Sequence, residues 1–244
     1  MSNPFFHFKQ FSILHQDKGL KVTTDACLLG AIAGYDNDPN KILDIGTGTG
    51  VIALMLAQRF QNAEVTAIEI IETVADNAGK NFESSPFSSR LNLIHADFLK
   101  HEFKDQFELI VCNPPYYKQY LQKQKSERAE KNLAIHNLTL QEIDLCQKAA
   151  TLLSDFGTFW IIYPSDLIDG FISTSESAGL KLEIRISIYN EPGKPYRDII
   201  GLKKTVSGSI KTSDLIIREN GHYSDEYKQL MSEFYLDNTD QYKS

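Results

Sequence analysis

The sequence predicts an α/β fold: a mostly parallel, doubly wound sheet with helices on both faces, closed by an antiparallel C-terminal hairpin. Three observations carry this expectation. From residue 41 onward, apolar β-rich runs alternate with segments whose apolar residues recur at helical spacing, as stacked strand–helix–strand units require. The stretch Gly46-Thr47-Gly48-Thr49-Gly50 joins the first such strand to the first helix. The turn-rich link Asn190-Glu191-Pro192-Gly193-Lys194-Pro195 separates two apolar runs and reads as a hairpin.

Taken in order, Lys41–Ile45 is a strand and Val51–Phe60 a helix. Glu64–Ile68 is the second strand, followed by a helix from Glu72 to Phe82. Strands Leu91–Ala96 and Phe107–Cys112 come next. A helix from Leu140 to Leu153 opens on Thr139-x-x-Glu142, the spacing of a capping box. Phe156–Tyr163 is a strand stopped by Pro164, and a short helix then runs to Gly179. Leu180–Tyr189 and Asp198–Lys204 form the hairpin, Leu215–Ile217 a further short strand and Asp225–Leu236 a last helix. No repeat or linker interrupts the series, so residues 1–244 read as one domain. Its parts are an N-terminal extension (1–40), a core (41–205) and a C-terminal strand and helix (206–244).

Bulk composition narrows the function classes. With 244 residues and 42% apolar content, the chain can bury one large core. The start, Met1-Ser2-Asn3-Pro4-Phe5, has neither the cationic nor the apolar region of a signal peptide. No run is long enough to span a membrane. Cys27, Cys112 and Cys146 are odd in number and far apart, as expected of reduced thiols in a cytoplasmic protein. The six histidines show no ligand spacing, so no metal site is expected. A net charge of −7 argues against a general nucleic-acid coat protein. Two segments run the other way. Residues 118–131 and 191–211 each carry five basic residues against two acidic ones, a net of +3. Lys123, Lys125 and Arg128 lie in the first, Lys194 and Arg197 in the second.

The glycine stretch sets the cofactor. Glycines let backbone approach a ligand, and the following helix start offers unpaired N–H groups. A dinucleotide loop wants Gly-x-Gly-x-x-Gly, but here position 51 is Val and the third glycine is Gly50. Asp44, just before the turn, would repel a pyrophosphate and suits a cationic amino-acid end. Both departures favour S-adenosylmethionine over NAD, with Asp44, Gly46, Thr47, Gly48 and Gly50 around it. Glu69, followed by Ile70, ends the second strand and is placed to accept from ribose hydroxyls. Asp97 and Phe98, after the third strand, are expected at the cofactor's adenine, Asp97 as an acceptor and Phe98 against the ring.

The fourth strand ends in Asn113-Pro114-Pro115-Tyr116. A planar amino nitrogen, on a base or a carboxamide, is a poor nucleophile because its lone pair is delocalised. Acceptors on its two hydrogens, the Asn113 side-chain oxygen and the Pro114 carbonyl, return electron density to it. Prolines stiffen such a loop and fix where its carbonyls point. Tyr116 can stack on the substrate's flat face, helped by Tyr117 or Phe8.

These motifs together resemble the class I S-adenosylmethionine-dependent methyltransferases over residues 41–205. Within them the chain resembles the bacterial tRNA1(Val) (adenine(37)-N6)-methyltransferases over nearly its whole length. The discriminating residues are Phe8-Lys9-Gln10-Phe11, His15, Lys21-Val22-Thr23-Thr24-Asp25-Ala26-Cys27-Leu28-Leu29-Gly30-Ala31, the Arg128/His136 region, Pro195-Tyr196-Arg197 and Tyr223-x-x-Glu226-Tyr227. Ile71 departs from the Asp often found there. The resemblance implies N6-methylation of adenine 37 in the tRNA anticodon loop, by a cytoplasmic monomer. It also implies that Lys21–Leu29, including Thr24 and Asp25, lies over the cofactor's methionine end. The two +3 segments would then grip phosphates around an extruded base. Guanine-N2 methylation of RNA and methylation of a release-factor glutamine use the same Asn-Pro-Pro-Tyr chemistry and stay open. So does a non-catalytic protein that kept the fold.

Overall fold

Strand β1 (Phe5–His7) pairs antiparallel with β2 (Ser12–Leu14), and helix α1 spans Thr24–Ile32. The alternating series follows: β3 (Lys41–Ile45), α2 (Val51–Arg59), β4 (Glu64–Glu69), α3 (Glu72–Glu83), β5 (Leu91–His95) and β6 (Phe107–Cys112). Then come α4 (Glu142–Leu152), β7 (Leu153–Pro164), α5 (Ile168–Ser177), β8 (Lys181–Tyr189), β9 (Arg197–Lys203) and β10 (Lys211–Ile216). A small pair, β11 (Arg218–Glu219) and β12 (His222–Tyr223), precedes α6 (Asp225–Met231). The computed structural model describes residues 4–14, 21–114 and 142–236. His15, Pro115, Tyr116, Tyr117, Lys123, Lys125, Arg128, His136 and Thr139 lie outside the described residues.

Eight strands form the main sheet in the order β10-β8-β9-β7-β6-β3-β4-β5. Only β9 runs against its neighbours, pairing antiparallel with both β7 and β8. The expected hairpin is therefore the edge of a parallel sheet, extended by β10, which lies parallel to β8. Strand alternation divides the core in two. Trp160 and Ile162 of β7 face the cluster built with α1, α2 and α6. Phe159, Ile161 and Tyr163 face the cluster built with α4 and α5. Gly201 of β9 sits opposite Trp160, where an added Cβ would come within 3.1 Å of the indole.

Four elements differ from expectation. Helix α1 carries no amphipathic signal, because Ala26 through Ile32 are all buried; a helix apolar on every side shows no period. Its start is capped by Thr23, whose Oγ1 accepts from the Ala26 N–H at 3.2 Å. The β1–β2 hairpin has strands too short to show alternation. Strand β7 starts at Leu153, with a register shift against β6 that leaves Phe156 92% exposed. Helix α6 ends at Met231, short of Leu236, because the chain turns so that Tyr235 forms a β-bridge with Phe8.

That bridge corrects one site expectation. Phe8 is 4% exposed, stacked on Phe11 at 4.5 Å and packed against Tyr235 at 5.9 Å. It is a core side chain fixing the N-terminal hairpin, with no face left for a substrate base. All three cysteines are buried and free. Among the described residues no helix is long and apolar enough to cross a membrane. Nor do they contain a His/Cys/Asp/Glu group able to hold a metal.

Candidate active site

In open α/β sheets, ligands lie outside the carboxyl ends of the strands, where connections diverge to either side. Here that point is between β3 and β6. Ile45 pairs with Ile68 on one side and Cys112 on the other, and Glu69 pairs with His95. The turns after β3, β4, β5 and β6 thus leave the sheet from one edge, each carrying residues singled out by the sequence.

The glycine turn is held from three sides. The Gly46 and Thr47 N–H groups both donate to the Ile68 carbonyl, at 2.9 and 3.1 Å. Gly48 N–H donates to Glu69 Oε2 at 3.1 Å. From α3, Asn81 Nδ2 donates to the Thr49 carbonyl at 2.9 Å. Gly46, Gly48 and Gly50 have φ of 68°, 59° and 84°, a region that penalises any side chain. A Cβ on Gly46 would meet nothing within 4 Å, whereas one on Gly50 would strike Phe82 at 2.5 Å. Gly46 therefore borders open space, and Gly50 is glycine because α3 packs against it.

Both acids of this turn are buried. Asp44 Oδ2 accepts from Thr47 Oγ1 at 2.6 Å, while its Oδ1 is a buried oxygen without a hydrogen-bond partner. Burial pushes the Asp44 carboxyl up to about 7. A cationic group brought alongside would restore the anion, so this orphaned oxygen fits the ammonium end of an amino-acid-bearing cofactor. Glu69 is 6% exposed, and its Oε1 accepts from the Ile70 and Ile71 N–H groups at 3.0 and 3.1 Å. Three backbone donors fix the carboxylate, which has lone pairs to spare for hydroxyls. These residues fit S-adenosylmethionine.

After β5, Asp97 Oδ1 accepts from the Leu99 N–H at 2.9 Å and Oδ2 pairs with Lys100 at 3.2 Å. The turn is braced from α4 by Lys148, whose Nζ donates to the Leu99 and His101 carbonyls at 2.9 and 2.6 Å. Phe98 differs from expectation. It is 5% exposed and packs in the second core cluster, 6.0 Å from Phe103 and beneath Lys148 at 5.5 Å. The turn points its ring inward, so it supports the turn rather than presenting an open face. Asn113 and Pro114, just past β6, are half-buried.

Around this centre, Lys21 and Thr24 are exposed and Asp25 is half-buried. Arg197 was expected on a phosphate-gripping rim; instead its Nε donates to Asp25 Oδ2 at 2.7 Å. Lys194 is exposed on the hairpin turn. Sequence reasoning missed Asn77 and Asn81, one helical turn apart on α3. Asn81 Oδ1 accepts from the Leu14 N–H at 2.9 Å and Asn77 Nδ2 donates to the Leu14 carbonyl at 3.0 Å. Their i, i+4 spacing was the available signal, but its target lies more than sixty residues away.

The sheet order and the glycine turn define a class I methyltransferase. The chain matches the family described as Methyltransferase small domain over residues 11–168. It belongs to the tRNA1(Val) (adenine(37)-N6)-methyltransferase family. The relative of that name from Bacteroides thetaiotaomicron is 39% identical, over 97% of this chain and 99% of its own. The one from Vibrio campbellii is 40% identical, over 95% of each chain. Among solved structures, a predicted O-methyltransferase from Agrobacterium tumefaciens superposes with a TM-score of 0.66 at 21% identity, covering 86% of this chain and 96% of its own.

Proposed function

We propose that the protein methylates N6 of adenine 37 in the anticodon loop of tRNA1(Val), with S-adenosylmethionine as donor. The observation that carries this reading is the emergence of Asn113-Pro114 beside the Asp44/Glu69 turn, on neighbouring parallel strands. Full-length similarity to relatives bearing that activity's name supports the substrate. The cofactor supplies an electrophilic sulfonium methyl. When it is bound, Glu69 would accept from its ribose, Asp44 and the open side of Gly46 would receive its amino-acid end, and Asp97 would accept from its adenine.

On the acceptor side, the Asn113 side-chain oxygen and the Pro114 carbonyl hold the two amino hydrogens of the base. Nitrogen's lone pair is thereby freed and directed, and Pro115 and Tyr116 are assigned to the same acceptor side. One N–C bond forms as one S–C bond breaks, and the surplus proton leaves to water. Rate comes mainly from placement, since well-oriented partners reach very high effective molarities. Lys21, Thr24 and Ile70 line the cofactor side, while Tyr117, Lys123, Lys125, Arg128 and Lys194 meet the RNA. Residues 1–244 act as one domain, in the cytoplasm and as a monomer.

Incubating the purified protein with tRNA1(Val) transcript and labelled donor tests the proposal. Nucleoside mass spectrometry should show N6-methyladenosine, absent when adenine 37 is changed to guanine. Methylation that persists in that transcript, or appears as N2-methylguanosine, would overturn it.

A further inference from the structure

The start of α1 and the start of β9 are about 170 residues apart in the chain and meet through three side chains. Arg197 Nε donates to Asp25 Oδ2 at 2.7 Å, and Tyr196 Oη donates to Asp25 Oδ1 at 3.3 Å. The guanidinium also lies 5.2 Å from the Tyr196 ring centroid, and its Nη1 donates to the Tyr196 carbonyl at 2.9 Å. Both Asp25 oxygens are thus engaged by two consecutive residues. The pair is largely shielded from water, with side chains 17% and 22% exposed for Asp25 and Arg197, where salt screens less. Burial, then Asp25, pushes the Tyr196 hydroxyl up, so it keeps the proton it donates.

Register fixes where this happens. Cys112 pairs with Ile161 and Arg197 with Pro164, so Arg197 stands three positions beyond the end of β6. That is about 10 Å at 3.3 Å per residue. Alternation puts Arg197 on the side of Ile199, which shares its core cluster with Val111 and with Ala26 and Cys27 of α1. On its other flank α1 is seated on α2, the helix that begins at the glycine turn. Gly30 allows this, since a Cβ there would come within 2.9 Å of Met55 Sδ.

We infer that Asp25 and Arg197 are positioning residues: their ion pair holds the first turn of α1 across the carboxyl edge, between the glycine turn and the Asn113 loop. The methyl-transfer role rests on the function proposed above. In this arrangement Asp25 is not a cofactor acceptor and Arg197 is not a phosphate contact. Each acts through the other, and through the placement of Lys21–Thr24 just before them.

Charge exchange tests it. Asp25→Arg and Arg197→Asp are each expected to weaken S-adenosylhomocysteine binding about tenfold, within the range of coupled contacts, and to lower kcat at saturating donor. The double exchange should recover both. If it folds poorly by circular dichroism, Asp25→Asn and Arg197→Gln close a second cycle, in which the double variant loses no more than either single. An Asp25 that touches the cofactor directly would give additive losses and no recovery. An Arg197 that grips a phosphate would give Arg197→Gln normal S-adenosylhomocysteine affinity and a tRNA salt slope smaller by about one. Either result overturns the inference. Because S-adenosylhomocysteine calorimetry involves no RNA, a wild-type protein that ignores tRNA1(Val) would sink the substrate reading and leave this coupling measurable.

Discussion

The Gly48 N–H donates to Glu69 Oε2 at 3.1 Å, joining the turn after β3 to the end of β4. With Ile70 and Ile71 donating to the other oxygen, the carboxylate is oriented before any ligand arrives. A ligand need not pay to order it, which is where preorganised sites gain affinity.

On the proposed role, Glu69→Ala removes the ribose acceptors together with one of the three ties on the glycine turn, the one from the Gly48 N–H. S-adenosylhomocysteine affinity should fall by about 1.5–3 kcal/mol, the range for hydrogen bonds to a charged group. Glu69→Gln should fall between, since one of its two ends must present N–H to a backbone N–H. Calorimetry giving wild-type affinity for the alanine variant would remove Glu69 from the site.

Asp44 predicts a pH dependence of unusual sign. Its folded carboxyl is raised from 3.8 to about 7 by burial, so the folded state prefers the protonated form. The contribution of this group to stability therefore falls as pH rises from about 4 to about 7, and is level above that. Ligand-free Asp44→Asn should melt higher than wild type at pH 8 and converge with it near pH 4. S-adenosylhomocysteine affinity of the wild type should climb toward pH 7, and the Asn variant should lose that climb. Thermal melts showing Asp44→Asn less stable throughout would contradict the burial argument.

Gly46 and Gly50 should respond differently to alanine. Both sit at positive φ, which costs about 1–2 kcal/mol for a side chain. At Gly50 the added methyl also strikes Phe82, and overpacking adds about 1–3 kcal/mol. Gly50→Ala should lower the melting temperature more. Gly46→Ala should stay folded yet bind S-adenosylhomocysteine at least about tenfold more weakly, its methyl intruding on the open space. Equal melting losses would refute the distinction.

Asn113→Ala should separate chemistry from binding. On the proposed mechanism, losing one amino-hydrogen acceptor misplaces the nucleophile, and small misplacements cost on the order of 100-fold in rate. Cofactor affinity should stay within about threefold of wild type. Single-turnover methylation at a near-normal rate would rule out the acceptor role.

Much of this architecture was readable because buried parallel strands are short, mainly apolar runs, as in Leu109–Cys112 and, but for Asp44, Ile42–Ile45. Asp44, Glu69, Asp97 and Asn113 stood out as candidates because each lies at or within two residues of a strand's carboxyl end, and those ends converge in this fold. Helix α1 was not, since a helix buried all round has no period. Phe8, flanked by His7 and Lys9, looks like a surface aromatic until Tyr235 arrives to cover it. The Asn77 and Asn81 links to Leu14, the Lys148 brace and the Asp25–Arg197 pair arise only when distant segments meet. Local sequence carries no trace of such pairings, so a charged Arg197 reads as solvent-facing.

The bridge from Phe8 to Tyr235, with Lys9 N–H donating to the Phe234 carbonyl at 2.7 Å, sets an order on biosynthesis. On the ribosome the hairpin emerges well before its partner, and it cannot lock until Phe234 and Tyr235, more than two hundred residues later, have followed. Until then Phe8 and Phe11 have no Tyr235 and Phe234 to close over them, and greasy rings at the front of a nascent chain invite chaperones. That flank of the enzyme is latched late, by residues made more than two hundred codons apart.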